Sequence, residues 1–70
     1  MSLEHALHFD AERWYRARDL AARWSVHEIT IFKWARDGRI PKPVKFGAAS
    51  RWLGSDILKH ERKLASGGAK

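Results

Sequence analysis

The chain has no cysteine, which removes a disulfide framework, a cysteine-based zinc site and a thiol nucleophile together and suits a reducing cytoplasm. It also has no run approaching 18 apolar residues, and its first residues, Met1-Ser2-Leu3-Glu4-His5, lack the basic segment and apolar stretch of a secretory signal. A cytoplasmic protein with no membrane association is the expectation. Length is scarce as well. A chain of 70 residues makes one domain and buries only about 60% of its unfolded surface. That leaves little room for both a core and a deep substrate pocket, so no enzymatic activity is expected. His5 and His8 are close in sequence, but no carboxylate or thiolate array joins them at ligand spacing, so neither a metal nor another cofactor is expected. No Ser-His-Asp arrangement, phosphate-cradling glycine loop or buried carboxylate pair is suggested either.

Acid is the next scarcity, and it is unevenly spread. Eight Asp and Glu stand against fourteen Lys and Arg, for a formal charge of +6. Residues 1–12 hold Glu4, Asp10 and Glu12 and no base, so the rest of the chain is more basic than the total suggests. Such density concentrates a domain around a polyanion and supplies the salt-sensitive phosphate part of nucleic-acid binding. A basic surface that only keeps a small domain soluble has the same composition, so charge alone does not choose between them.

The pattern divides into an acidic lead over residues 1–12, expected to be flexible, a folded domain over 13–65, and a Ser-Gly-Gly tail over 66–70, also expected to be flexible. From Asp19, the residues Leu20, Ala21 and Trp24 fall at helical spacing and predict a helix of about two turns. Ser25-Val26-His27 interrupts it. A second helix follows over Glu28–Asp37, with Ile31, Trp34 and Ala35 facing inward and Gly38 fitting the left-handed position past its end. Two short helices across a three-residue turn make a helix-turn-helix. Pro41 and Pro43 exclude a helix next. Val44-Lys45-Phe46, a loop over Gly47–Ser50 and Arg51-Trp52-Leu53 read as a hairpin. Ser55 is then placed as the N-cap of a last helix whose stripe is Ile57, Leu58, Glu61 and Leu64. The fold class is mainly α with a small β-hairpin wing, in the order helix-turn-helix, hairpin, closing helix.

Four tryptophans raise the question of a base-stacking platform, but a domain this small needs large apolar side chains to form any core. Trp24, Trp34 and Trp52 are therefore assigned to the core. Trp14, beside Tyr15 and ahead of the first helix, is open; a short strand against the wing is one placement.

The run Trp34-Ala35-Arg36-Asp37-Gly38-Arg39-Ile40-Pro41-Lys42-Pro43-Val44-Lys45-Phe46-Gly47, followed by Arg51-Trp52 and Ser55-Asp56-Ile57, closely resembles the AlpA-type phage transcriptional regulators. These belong with the excisionases in the MerR-like winged-helix group. The resemblance spans roughly residues 15–64. It implies a winged helix-turn-helix that binds double-stranded DNA as a small phage, prophage or mobile-element regulator, or as an excisionase that sets recombination direction. It further implies self-association on repeated sites and, for an excisionase, an integrase partner. Two positions depart from the family's usual pattern. Ala17 or Arg18 stands where a Ser or Thr usually caps the first helix, and Glu28 and Ile29 stand where an Arg and a Ser often begin the second.

In a helix-turn-helix the start of the second helix enters the major groove while other bases grip phosphate. The candidates are therefore His27, Glu28, Thr30 and Lys33 on that helix and Arg36 at its end. Arg39, Lys42, Lys45, Ser50 and Arg51 follow along the hairpin. Lys33 can donate to guanine, Glu28 can accept from cytosine and Thr30 can touch a thymine methyl. His27 fits a helix start better than a base reader. Arg51 suits a phosphate or an acid partner equally. Phe32 lies off the inward stripe and is expected to pack partly at the edge of the core. Two other readings stay open: the DNA-recognition domain of a phage terminase small subunit, and a protein-interaction module docking through Leu3, Leu7, Phe9 and Trp14.

Overall fold

The computed structural model describes residues 8–67. Its elements run β1 (Trp14–Tyr15), α1 (Ala17–Trp24), α2 (Glu28–Arg36), β2 (Val44–Phe46), β3 (Ala49–Leu53) and α3 (Gly54–Gly67). The chain is thus a small mixed α/β domain of three helices and a three-stranded antiparallel sheet in the order β1-β3-β2. No helix among the described residues is long and apolar enough to cross a membrane.

Each helix end has a local cause. α1 lacks a Ser or Thr cap; instead the Asp19 carboxylate accepts the Arg16 N–H at 2.8 Å, satisfying a donor that the helix itself leaves free. The helix stops because Ser25 turns left-handed at φ 57°, and the Val26 N–H reaches back to the Ala21 carbonyl at 2.9 Å. His27 caps α2, its Nδ1 accepting the Ile29 N–H at 3.1 Å, the helix-start role its position suggests. Past the other end Gly38 takes φ 79° as expected. The N–H groups of Gly38 and Arg39 then close on the carbonyls of Ala35 and Trp34 at 3.3 and 2.8 Å. This paired closure ends a helix without leaving its carbonyls bare.

The hairpin turns earlier than its sequence suggests. Only Gly47 and Ala48 form the loop, because Gly47 at φ 64° supplies the positive angle that a tight two-residue turn needs, and Phe46 pairs directly with Ala49. Trp14 and Tyr15 add the short strand, opposite Leu53 and Trp52. Side chains alternate across a sheet, so Tyr15, Lys45, Ser50 and Trp52 share one face while Trp14, Val44, Phe46, Ala49, Arg51 and Leu53 share the other. On that second face the Trp14 and Phe46 rings meet edge to face at 5.1 Å.

The core is formed by Phe9, Ala17, Leu20, Ala21, Ile31, Ala35, Ile40, Trp52 and Ile57. Trp52 is the largest side chain fully inside. Its indole N–H donates to the Pro41 carbonyl at 2.7 Å, tying the Ile-Pro-Lys-Pro segment down over the sheet. Trp24 and Trp34 pack against this core with only part of their surface. Leu58 is half-buried and Leu64 exposed, because the last turns of α3 run on past the elements that would cover them. Glu61, the one polar residue in that stripe, meets a matching partner. Arg23 donates to both its oxygens at 2.6 and 2.7 Å, and the Trp24 indole N–H donates at 2.6 Å. These bonds hold the Glu61 carboxyl below the usual carboxylate range, against the opposing effect of burial.

Both expected boundaries of the domain shift. The lead is part of the fold from residue 8: Phe9 is only 4% exposed, its ring stacked on Tyr15 at 3.8 Å with the Arg23 guanidinium 4.5 Å from its centre. A core of nine buried side chains gains a large fraction from one more aromatic. The lead also replaces the cap assigned to Ser55. α3 begins one residue earlier, at Gly54, and the N–H groups of Gly54 and Ser55 donate to the carbonyls of Arg13 and Ala11 at 2.7 and 2.9 Å. Helix α3 likewise continues through Ser66 and Gly67, into the segment expected to be tail. Residues 1–7 and 68–70, including Leu3, His5 and Leu7, lie outside the described residues.

Candidate nucleic-acid interface

Helix α2 turns about 100° per residue, which sorts its side chains cleanly. Ile31 and Ala35 point into the core. Opposite them runs a stripe of Ile29, Lys33 and Arg36 with Phe32 beside it, and all four are exposed. Ile29 is the extreme case, 70% exposed, while Phe32 is 46% exposed with its ring 6.1 Å from Trp52. Glu28 is exposed but lies five residues from Lys33, about 140° away around the helix. Thr30 is half-buried. The side chain of His27 is committed to capping the helix.

The hairpin divides the remaining candidates. Lys45 and Ser50 are cross-strand partners on the sheet face that carries Trp52, against which Phe32 packs. They therefore lie on the sheet face toward which Phe32 of α2 packs. Arg51 stands on the reverse face opposite Val44, and its guanidinium donates to the Ser50 carbonyl at 2.9 Å rather than to an acid. Lys42 is exposed between the two prolines. Arg39 goes elsewhere. It lines an open groove of about 300 Å³ with Trp24, Trp34, Ile40, His60 and Leu64, between the end of α2 and α3.

Ion pairs take up few of the basic side chains, on this surface and elsewhere alike: Arg16, Arg18, Lys59, Arg62 and Lys63 also make none among the described residues. Asp10 is held by His8 and Arg13, Asp37 by Arg36 and Glu61 by Arg23. Among the described residues Lys33, Arg39, Lys42, Lys45 and Arg51 make no ion pair. Five positive groups on the α2 and hairpin segment are thus left to solvent or to a ligand. Arg36 has only a loose contact to Asp37 at 3.6 Å, with both side chains exposed. Such a pair contributes little and opens readily.

Ile29, noted in the sequence at the start of the second helix, is the one member of the stripe not placed among the candidate contacts. The signal was present, since Ile29 falls off the Ile31, Trp34 and Ala35 spacing in the same way as Phe32 and shares the face of Lys33 at i+4. No group of three or more metal-binding side chains occurs among the described residues. Comparison with protein families, with curated proteins and with solved structures gives no match to this chain.

Proposed function

We propose that this chain is a sequence-specific double-stranded DNA-binding protein of the winged helix-turn-helix type, a small phage or mobile-element transcriptional regulator or excisionase. The observation that carries this reading is the exposed stripe of α2, Ile29, Lys33 and Arg36, together with Lys45 and Ser50 on the hairpin. α2 is nine residues long and presents a whole face opposite the core, which is what a helix needs to lie in a major groove about 12 Å wide. Lys33 sits at its middle as a donor to guanine O6 and N7. Lys45 and Lys42 hold phosphate on one flank, and Ser50 adds a hydroxyl beside Lys45. The short Gly47-Ala48 turn lets the hairpin approach the backbone closely. A single domain this small offers a limited interface, so several copies on repeated sites supply the affinity that one lacks.

Selection from a random duplex library with purified protein at near-physiological salt, followed by titration of the winner against scrambled competitor, tests the reading. An enriched motif with at least about a thousandfold preference is expected. Binding that is only salt-labile, with no enriched motif, would overturn it. The competing interaction-module reading loses one of its docking residues, because Phe9 is buried between Tyr15 and Arg23.

A further inference from the structure

We infer that Ile29 reads the C5-methyl group of a thymine in the major groove, with Phe32 closing the same apolar contact from one turn further along α2. This rests on the DNA-binding reading above and names a base that the site takes.

The inference starts from an exposure without a structural return. Ile29 leaves 70% of its surface in water and is absent from the core. The helix does not need it there, since a β-branched residue is a poorer helix former than Ala or Glu. The cap bond that fixes the start of α2 uses only the Ile29 backbone N–H, so any non-proline residue would serve. Its surroundings narrow the ligand. Ile29 lies one turn from both Phe32 and Lys33, so apolar surface and a cation occupy adjacent positions on one face. Phe32 is braced by Trp52 rather than free. Lys45 and Ser50 stand on the sheet face that Trp52 shares.

An apolar spot set among unpaired bases suits a polyanion that carries an apolar group between hydrogen-bonding edges. In duplex DNA the major groove offers one such group, the thymine methyl, next to the acceptor atoms that Lys33 can use. A protein partner is less well matched, because its apolar contact would have to bury Lys33 and Arg36 alongside. The position of Ile29 in the first turn of α2 is also where a recognition helix lying in the groove brings its side chains to base edges.

The test uses the duplex motif selected above, with each thymine replaced in turn by deoxyuridine, which lacks only the methyl. The wild-type chain is expected to bind about fourfold more weakly when one particular thymine is replaced, the fold-change that burying one methyl-sized group, about 0.8 kcal/mol, corresponds to. Ile29→Ala should lose affinity for the thymine duplex to a similar degree and be indifferent to the replacement. Ile29→Val should retain most of the discrimination. As an exposed site, Ile29→Ala should unfold at or slightly above the wild-type temperature, so weaker binding is not a folding defect. An enriched motif with no deoxyuridine effect, or an equal effect in wild type and Ile29→Ala, would overturn this inference and leave DNA binding standing. A chain with no enriched motif would overturn both. A loss of self-association by Ile29→Ala without any change in base preference would also overturn it, assigning the residue to a contact between copies.

Discussion

Gly54→Ala is the sharpest test of how the lead is held. Helix propensity alone says that Ala at a helical position should stabilise by up to about 1 kcal/mol. The structure says the opposite. A Cβ on Gly54 would overlap the Asp10 carbonyl oxygen, lie 2.8 Å from the carbonyl carbon and come within 3.1 Å of the Tyr15 ring. Backbone cannot yield as a flexible side-chain tip does, so residues 8–13 must lift from α3. Lifting them exposes Phe9, whose loss from a core is comparable to an aromatic truncation, about 3–5 kcal/mol at most. It also breaks the bonds from the Gly54 and Ser55 N–H groups to Arg13 and Ala11, at about 1 kcal/mol each. Partial relaxation recovers some of this, and a net loss of about 3 kcal/mol is expected. For a domain of this size each kcal/mol moves Tm by about 4–8 °C, so the midpoint should fall by roughly 12–24 °C in a circular-dichroism melt. Gly67→Ala is the control, because it is helical with nothing within 4 Å, and should be neutral or slightly stabilising. Combining Gly54→Ala with Phe9→Ala should cost much less than the two separate losses added, since both act on one contact. A Gly54→Ala midpoint within about 3 °C of wild type, roughly 0.5 kcal/mol, would refute the packing of the lead against α3.

Further outcomes concern the folded domain first and its binding to DNA second. Glu61 holds its proton less readily when folded than when unfolded, so its contribution is present above the usual carboxylate range and is lost as pH falls through the lower folded value. Glu61→Gln should therefore cost about 1–3 kcal/mol at neutral pH and flatten the decline of stability below about pH 4, checked by urea titrations across the acid range. Ser25→Gly should raise stability by about 0.5–1 kcal/mol, because glycine takes the left-handed angle without the strain a side chain carries, readable in the same titrations. On DNA, Lys33→Ala should cost about 1–3 kcal/mol and relax preference at one base pair. Lys45→Ala should instead weaken all duplexes alike and reduce the salt slope by about one unit, and Arg51→Ala, on the reverse face of the hairpin, should change that slope less than Lys45→Ala does.

How far the sequence could be read depends on the range of the cause. The ends of α2 were legible because their causes are local: His27 sits two residues from the N–H it caps, and Gly38 supplies its own backbone angle. The inward stripe of Ile31 and Ala35 follows from helical period alone. The start of α3 was not legible, since the carbonyls that cap it belong to Ala11 and Arg13, more than forty residues earlier. Glycine at position 54 looked like punctuation between strand and helix, whereas its service is to let the Asp10 backbone pass. The packing of residues 8–12 is illegible for the same reason: a lone Phe9 among acids has no periodic partner, and only the fold brings Tyr15 and Arg23 to its two faces. The candidate interface divides along the same line. Lys33 and Phe32 stand out on a helical projection, and strand alternation sends Lys45 and Arg51 to opposite sides whether the loop has four residues or two. What only the structure supplies is the register: Gly47 turns the chain in two residues rather than four, so Lys45 stands opposite Ser50 across the hairpin. A stripe seen by its exclusion from the core should include every residue excluded, and applying that rule without regard to polarity admits Ile29 beside Lys33. Looking only for polar side chains is what leaves it out.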